Sequence, residues 1–248
     1  MRSQSDDLSI RCEGLTKRFG DHVAVDQLSF HAAAGAITGF IGGNGAGKTT
    51  TIRMLLGLVE PTSGRAMVGG QPYAEHHAPR RLVGASVDGP GAHPARTARG
   101  HLEIIATAAG LPRRRVGEAL DRVGLAADAR RRVGTYSMGM LQRLALAGAL
   151  LADPPILILD EPVNGLDPAG ILWMRSLLRE LADEGRSILV SSHLLSELAE
   201  VADQVVIIDQ GRLVADDSLA NLLAGRLDRL EDLYFELVQA ARSGQVAS

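Results

Sequence analysis

Residues 42–49 read Gly-Gly-Asn-Gly-Ala-Gly-Lys-Thr, which fills every fixed position of a G-x-x-x-x-G-K-[ST] phosphate loop. Gly42, Gly43, Gly45 and Gly47 let the backbone approach a polyphosphate and turn its N–H groups inward, with Asn44 and Ala46 between them. Lys48 can reach β- and γ-phosphates, and Thr49 can place a hydroxyl on Mg²⁺. Thr50 opens a helix whose free N–H groups and positive dipole end favour the same anion.

A second chemical pair follows far downstream. Asp160 and Glu161 come directly after Ile156-Leu157-Ile158-Leu159 and before Pro162. With a phosphate loop upstream, Asp160 suits the metal and Glu161 suits the attacking water. Without that loop, two acids at a strand end would merely cap a turn. Ser191-Ser192-His193 ends the next apolar run, which brings His193 to the same sheet edge as Asp160. A γ-phosphate contact there competes with the reading of a lone exposed histidine.

These groups need a scaffold, and the chain between them describes one. Ala36–Ile41 before the loop reads as a buried strand, and Thr50–Leu56 after it as a helix. Residues 8–30 alternate apolar and polar around Phe19-Gly20-Asp21, which predicts an antiparallel β region. Gly64–Gly70 predicts a further strand and turn. From Gly89 to Leu151 the sequence turns Ala/Leu/Arg-rich with helical patterning, broken at Pro94, Pro112 and Gly134. Strands return at Ile156–Leu159, Arg186–Ser191 and Gln204–Ile208, with helices between them. Strand–helix alternation of this kind predicts an α/β fold built on a mainly parallel sheet, with ligands at the carboxyl ends of the strands. The expected organisation is a nucleoside-triphosphate-binding core with its β subdomain over 1–88 and 152–216, a helical subdomain over 89–151 and a helical tail over 217–248. In that tail Leu227, Leu230, Leu233, Tyr234 and Leu237 form a stripe suited to packing on the core.

Composition narrows the class. The 248 residues carry 26 basic and 29 acidic side chains, a net charge of -3, so nothing marks a nucleic-acid footprint. Arg113-Arg114-Arg115 and Arg130-Arg131-Arg132 have acids nearby and read as solvated helix faces. One cysteine, Cys12, excludes an internal disulfide and a Cys-based zinc site. Residues 1–7 are polar and acidic, unlike a secretion signal, and no apolar run approaches the ~20 residues of a membrane span.

Two shorter stretches complete the set. Tyr136-Ser137-Met138-Gly139-Met140 precedes an apolar helix, with Ser137 as its N-cap and a second anion-favouring helix end behind it. Asn164-Gly165-Leu166-Asp167-Pro168 reads as a turn, a cap at Asp167 and a first-turn proline. In this order the phosphate loop, Tyr-Ser-x-Gly-Met, Leu-Asp-Glu-Pro, Asn-Gly-Leu-Asp-Pro and Ser-Ser-His resemble the nucleotide-binding subunit of an ABC transporter, a P-loop NTPase. The likeness spans Leu8 to about Asp209. The variant forms, and the tail Leu230–Leu237, resemble the antibiotic and multidrug exporters of the bacitracin/daunorubicin type.

That resemblance implies an ATPase that uses ATP and Mg²⁺. It implies a head-to-tail dimer with a second, identical cassette, in which the loop of one subunit faces the signature of the other. Ser137, Met138, Gly139 and Met140 would meet the nucleotide held by the opposite Lys48. Phe19 would stack on adenine, Asp167 would communicate across the dimer and His193 would sense the γ-phosphate. Cargo would cross through an integral membrane permease, placing the chain at the cytoplasmic face of the cell membrane. An importer subunit would share this chemistry. A ribosome- or DNA-acting cassette would carry two cassettes or a long coiled coil, and this chain has neither. Departures from the family pattern are Met138 and Met140 in the signature, Gly43 where proline is common, and Asp88 where a glutamine usually lies near the metal. Asp88 is therefore expected in the metal shell with Thr49 and Asp160.

Overall fold

The structure is a computed structural model and describes residues 7–224 and 229–243. Its centre is a sheet in the order β5-β6-β7-β3-β8-β9. These strands are β3 (Ile37–Ile41), β5 (Val83–Ser86), β6 (Ile156–Asp160), β7 (Ser187–Ser192), β8 (Gln204–Asp209) and β9 (Arg212–Ser218). All pairings are parallel except β8–β9. A second sheet is antiparallel, in the order β2-β1-β4, from β1 (Ile10–Phe19), β2 (His22–Ala32) and β4 (Ser63–Val68).

The central sheet is buried on both faces, which explains its uninterrupted apolar runs. Successive side chains alternate between two cores. Leu157 and Leu159 of β6, Ile188 and Val190 of β7 and Val205 and Ile207 of β8 join one. Ile156, Ile158, Leu189, Val206 and Ile208 join the other, where Phe40 stacks on Phe30 at 5.3 Å between ring centroids. The second core is closed by the antiparallel sheet and by α1 (Lys48–Leu55). Each such large apolar side chain contributes about 1.5–3 kcal/mol by leaving water.

The short α2 (Pro79–Leu82) leads into β5. Residues 89–151 supply α3 (Ala98–Ala108), α4 (Arg114–Arg122) and α5 (Met138–Leu150), and α5 packs on β5. Thr97 caps α3, and Ser137 caps α5 by accepting from the Met140 N–H at 3.3 Å. Between β6 and β7 runs α6 (Pro168–Asp183), with Pro168 in its first turn and Asp167 accepting from Gly170 N at 2.8 Å. Proline there gives up an N–H that has no helical partner anyway.

After β7 come α7 (Leu195–Ala199), α8 (Leu219–Leu222) and α9 (Leu230–Arg242). Leu230, Leu233 and Val238 bury one face of α9, while Tyr234 and Leu237 pack at its margin, as the tail stripe predicts. Leu227, the first residue of that stripe, lies outside the described residues, as do residues 1–6.

Candidate functional site

The loop leaves β3 at Ile41 and enters α1 at Lys48. Two of its glycines are required by close approach. Gly47 has φ 103°, and a Cβ there would lie 2.6 Å from the Ala24 carbonyl oxygen. A Cβ on Gly42 would lie 2.7 Å from the carbonyl oxygen of Ile208. The loop is thus wedged between β2 and β8, and Gly211 N adds a bond to Ala46 O at 3.0 Å.

Above it lies a cleft of about 480 Å³ lined by His22, Ala24, residues 43–50, Glu161, Asn164 and His193. Lys48 points back across the loop. Its ammonium donates to Gly42 O at 2.6 Å and Gly43 O at 3.3 Å, and lies 3.3 Å from Glu161 Oε1.

Sheet register assembles the acidic side. Asp160 stands opposite Ser191 on β7, and Ser191 stands opposite Phe40 on β3. Asp160 therefore faces the start of α1 across one intervening strand, and its Oδ2 accepts from Thr49 Oγ1 at 2.8 Å. Ser191 donates to Asp160 Oδ1 and accepts from Glu161 N at 2.9 Å. Glu161 occupies left-handed backbone space, φ 50°, uncommon for a residue with a Cβ. The Ser191 hydroxyl holds that turn and aims the carboxylate at the loop. Glu161 Oε2 accepts from His193 Nδ1 at 2.8 Å. An ionised carboxylate only accepts, so Nδ1 carries the proton and Nε2 is left for the cleft.

Lys48, Thr49, Asp160, Glu161 and His193 are therefore brought together. The donor set fits Mg²⁺: one hydroxyl and one carboxylate, both oxygen, for an ion that keeps several waters and takes further oxygens from phosphates. Among the described residues no cluster of three or more His, Cys, Asp or Glu offers a complete protein cage.

Other expected residues lie apart. Asp88 is not at the cleft. Its backbone sits at φ 58° beyond β5, and its exposed carboxylate is taken by Arg53 at 2.6 Å. Arg53, one turn along α1 from Thr49, supplies the cation that holds this carboxylate. Phe19 does not line the cleft either. It is 49 % exposed at the β1–β2 turn, with Lys17 Nζ 5.1 Å from its ring centroid, so it is no core residue. His22 and Ala24 of the same hairpin do line the cleft.

Ser137 and Met138 are exposed and Gly139 and Met140 half-buried at the start of α5, outside this chain's own cleft. They pack on the turn before α6. A Cβ on Gly165 would lie 2.6 Å from Met138 Cγ, and Gln142 Nε2 donates to Asn164 O at 3.3 Å. One turn on, Arg143 stacks over Trp173 at 3.6 Å and donates to Val123 O.

Sequence reasoning assigned no role to Ser191, Asn164, His22 or Ala24. Ser191 had a signal: it lies in the strand just before His193, at the position where a parallel neighbour meets Asp160. The others carry no motif.

Sheet order, phosphate loop and carboxylates define the class, a P-loop ATPase of α/β fold. The ABC transporter family model matches residues 25–164. The bacitracin transport ATP-binding protein BcrA of Bacillus licheniformis is 45% identical over 210 residues, 84% of this chain and 69% of that protein. A solved ATP-binding subunit of an ABC transporter matches with a TM-score of 0.82 and 30% identity, over 92% of this chain and 99% of that one. A bacterial Atm1-family ABC exporter with ATP bound matches with a TM-score of 0.79 and 27% identity, over 98% of this chain and 43% of that one. The chain belongs to the ABC transporter family, as an ATPase subunit. Among the described residues no helix is long and apolar enough to cross a membrane.

Proposed function

We propose that this ATPase powers export of an antibiotic, drug or similar compound through a separate membrane-spanning partner, working as a dimer of identical cassettes at the cytoplasmic face of the membrane. The observation that carries the catalytic part is the junction of Lys48, Glu161 and His193, with Oε1 and Oε2 of one carboxylate turned to two different cations or donors. Likeness to a bacitracin transport protein supports export and the cargo class.

In this reading Gly42–Thr50 cradle the triphosphate and Lys48 offsets its charge. Thr49 and Asp160 would hold Mg²⁺, which supplies charge neutralisation at the phosphates when bound. Glu161 orients a water in line with the γ-phosphorus and takes its proton as the new P–O bond forms. The bond to the bridging oxygen breaks, leaving ADP and phosphate. His193 keeps Glu161 aimed through Nδ1. Ser137, exposed, and the Gly139 amide at the same helix N-terminus supply an anion site for the nucleotide of the second subunit. Only the ATP-bound state gains those contacts, so ATP favours the closed dimer. Asp167, capping α6 beside the signature, lies where the two sites would communicate. Phe19 offers its exposed ring to adenine.

The test is a pull-down of tagged Glu161→Gln protein from detergent-solubilised membranes with ATP and Mg²⁺, partners being identified by mass spectrometry. A stoichiometric multi-span membrane protein is expected. Recovery of ribosomes, nucleic acid or soluble protein alone would overturn the transporter reading of this chain and leave the ATPase.

A further inference from the structure

The phosphate loop has walls on three sides, and the third comes from the far end of the chain. Ala24 O closes on Gly47, and Ile208 O on Gly42. At Gly43 neither strand intrudes. What stands there is Tyr234 of α9: a Cβ on Gly43 would lie 3.6 Å from the phenol oxygen, ordinary van der Waals contact. Gly43 also lines the cleft, so the phenol oxygen stands next to a residue that borders the ligand space.

The placement of Tyr234 is over-determined. Leu230, Leu233 and Val238 seat α9 in the core, and Tyr234 follows Leu233 at the margin of that buried face. Two turns further on, Arg242 clasps Asp209, Nε to Oδ2 at 2.7 Å and Nη2 to Oδ1 at 2.9 Å. Asp209 ends β8 and precedes Gln210-Gly211, whose Gly211 amide holds Ala46 O. Helix α9 therefore meets the loop's surroundings at two points: Tyr234 stands beside Gly43, and Arg242 is bonded to Asp209.

Glycine at 43 gives the loop a residue with wide backbone freedom just where it leaves β3. The phenol oxygen stands in the space that a side chain at 43 would enter. We infer that Tyr234 is a positioning residue for the phosphate loop, and that docking of α9 and nucleotide binding at residues 42–49 strengthen each other. Linkage makes the effect reciprocal: if α9 tightens the loop on the nucleotide, the nucleotide tightens α9. The inference rests on the reading that this loop holds the triphosphate.

The experiment uses the full chain and Mg·ADP as the probe. Calorimetric affinity is measured for wild type, Lys48→Ala, Tyr234→Ala, Tyr234→Phe and Arg242→Ala, with thermal melts to confirm folding. Amide exchange of α9 is followed in wild type with and without ADP. Tyr234→Ala and Arg242→Ala are expected to weaken ADP binding about 3- to 30-fold, and to raise KM for ATP with kcat nearly unchanged. Tyr234→Phe, which keeps the ring but removes the oxygen that stands at Gly43, should lose a similar share of the affinity. ADP should slow exchange in α9 of the wild type. Affinities equal to wild type in both alanine variants, a fall in kcat without a change in KM, or α9 exchange indifferent to ADP would each overturn the inference. Loss of binding in Lys48→Ala is the separate check on the loop itself. If that variant binds normally, it is the reading of the loop that fails.

Discussion

Glu161 bridges Lys48 and His193: one carboxylate oxygen lies 3.3 Å from the lysine ammonium and the other 2.8 Å from the imidazole Nδ1. A carboxylate held this way cannot drift, yet its lysine contact is one that a bound phosphate would compete for. Glu161→Gln keeps the shape and loses the base. Hydrolysis should fall about 10²- to 10⁴-fold, while ATP remains bound and dimer accumulates. Phosphate release and gel filtration with ATP and Mg²⁺ measure both. A variant that binds ATP but stays monomeric with its membrane partner present would count against the sandwich mechanism.

Ser191 stands behind both acids, donating to Asp160 and accepting from Glu161 N. Outer partners of this kind tune metal affinity. Ser191→Ala should raise the Mg²⁺ concentration needed for half-maximal ATPase about tenfold, read by titrating Mg²⁺ at saturating ATP. An unchanged titration would reduce Ser191 to a packing residue.

Ser137 separates two effects at one helix end. Ser137→Ala removes the cap and should cost about 1 kcal/mol of stability. Ser137→Asp keeps a good cap, so its melting temperature should match wild type. The added carboxylate would oppose a γ-phosphate, so its ATPase should still fall. Equal activity of Ser137→Asp and wild type would remove this helix end from the nucleotide site.

Asp88 pairs with Arg53 on an exposed surface, and such pairs are worth about 0–1 kcal/mol. Asp88→Ala should leave stability and the Mg²⁺ titration essentially as in wild type. A shifted titration would return Asp88 to the metal shell that the family resemblance assigns to it.

Acid sensitivity should trace to the join between α4, α6 and β7. Hydrogen bonding from Arg186 holds the Asp153 carboxyl below its ordinary 3.8, with Arg115 adding to it. Burial opposes ionisation of Glu184, but bonds from Arg122 and Arg186 outweigh it and leave it below 4.5. Both groups bind fewer protons folded than unfolded, so their stabilisation is complete above those ordinary values and is lost as pH falls through the depressed ones. Urea midpoints should drop between pH 5 and pH 3, and Arg186→Met should flatten that drop. An equal slope in the variant would place the acid-sensitive groups elsewhere.

Local chemistry was readable in the sequence where the reason for a residue is local. Gly47 needs its φ of 103°, Ser137 and Asp167 cap helices three residues on, and the apolar run before Asp160 marks a strand buried on both faces. What escaped depends on distant neighbours. No spacing rule tells that Arg53 will take Asp88, that Met138 will fill the space over Gly165, or that Tyr234 will stand beside Gly43. These contacts follow from strand order and helix docking, which pattern alone leaves open. Ser191 is the intermediate case, since parallel pairing of two recognised strands would have put it opposite Asp160.

The position of β3 also dictates when this protein can first acquire a binding site. Its hydrogen-bonding neighbours are β7 and β8, which end at Ser192 and Asp209, whereas β3 itself ends at Ile41. During synthesis the strand that carries the phosphate loop must wait for its partners about 10–30 s at ordinary elongation rates. Throughout that interval an apolar strand has both edges open, the state most exposed to mispairing. Nucleotide can lend no help then, because Asp160, Glu161 and His193 have yet to be made or docked. Bound ATP therefore stabilises only chains that have already closed the sheet, and the waiting strand is where a nascent chain would most need a chaperone.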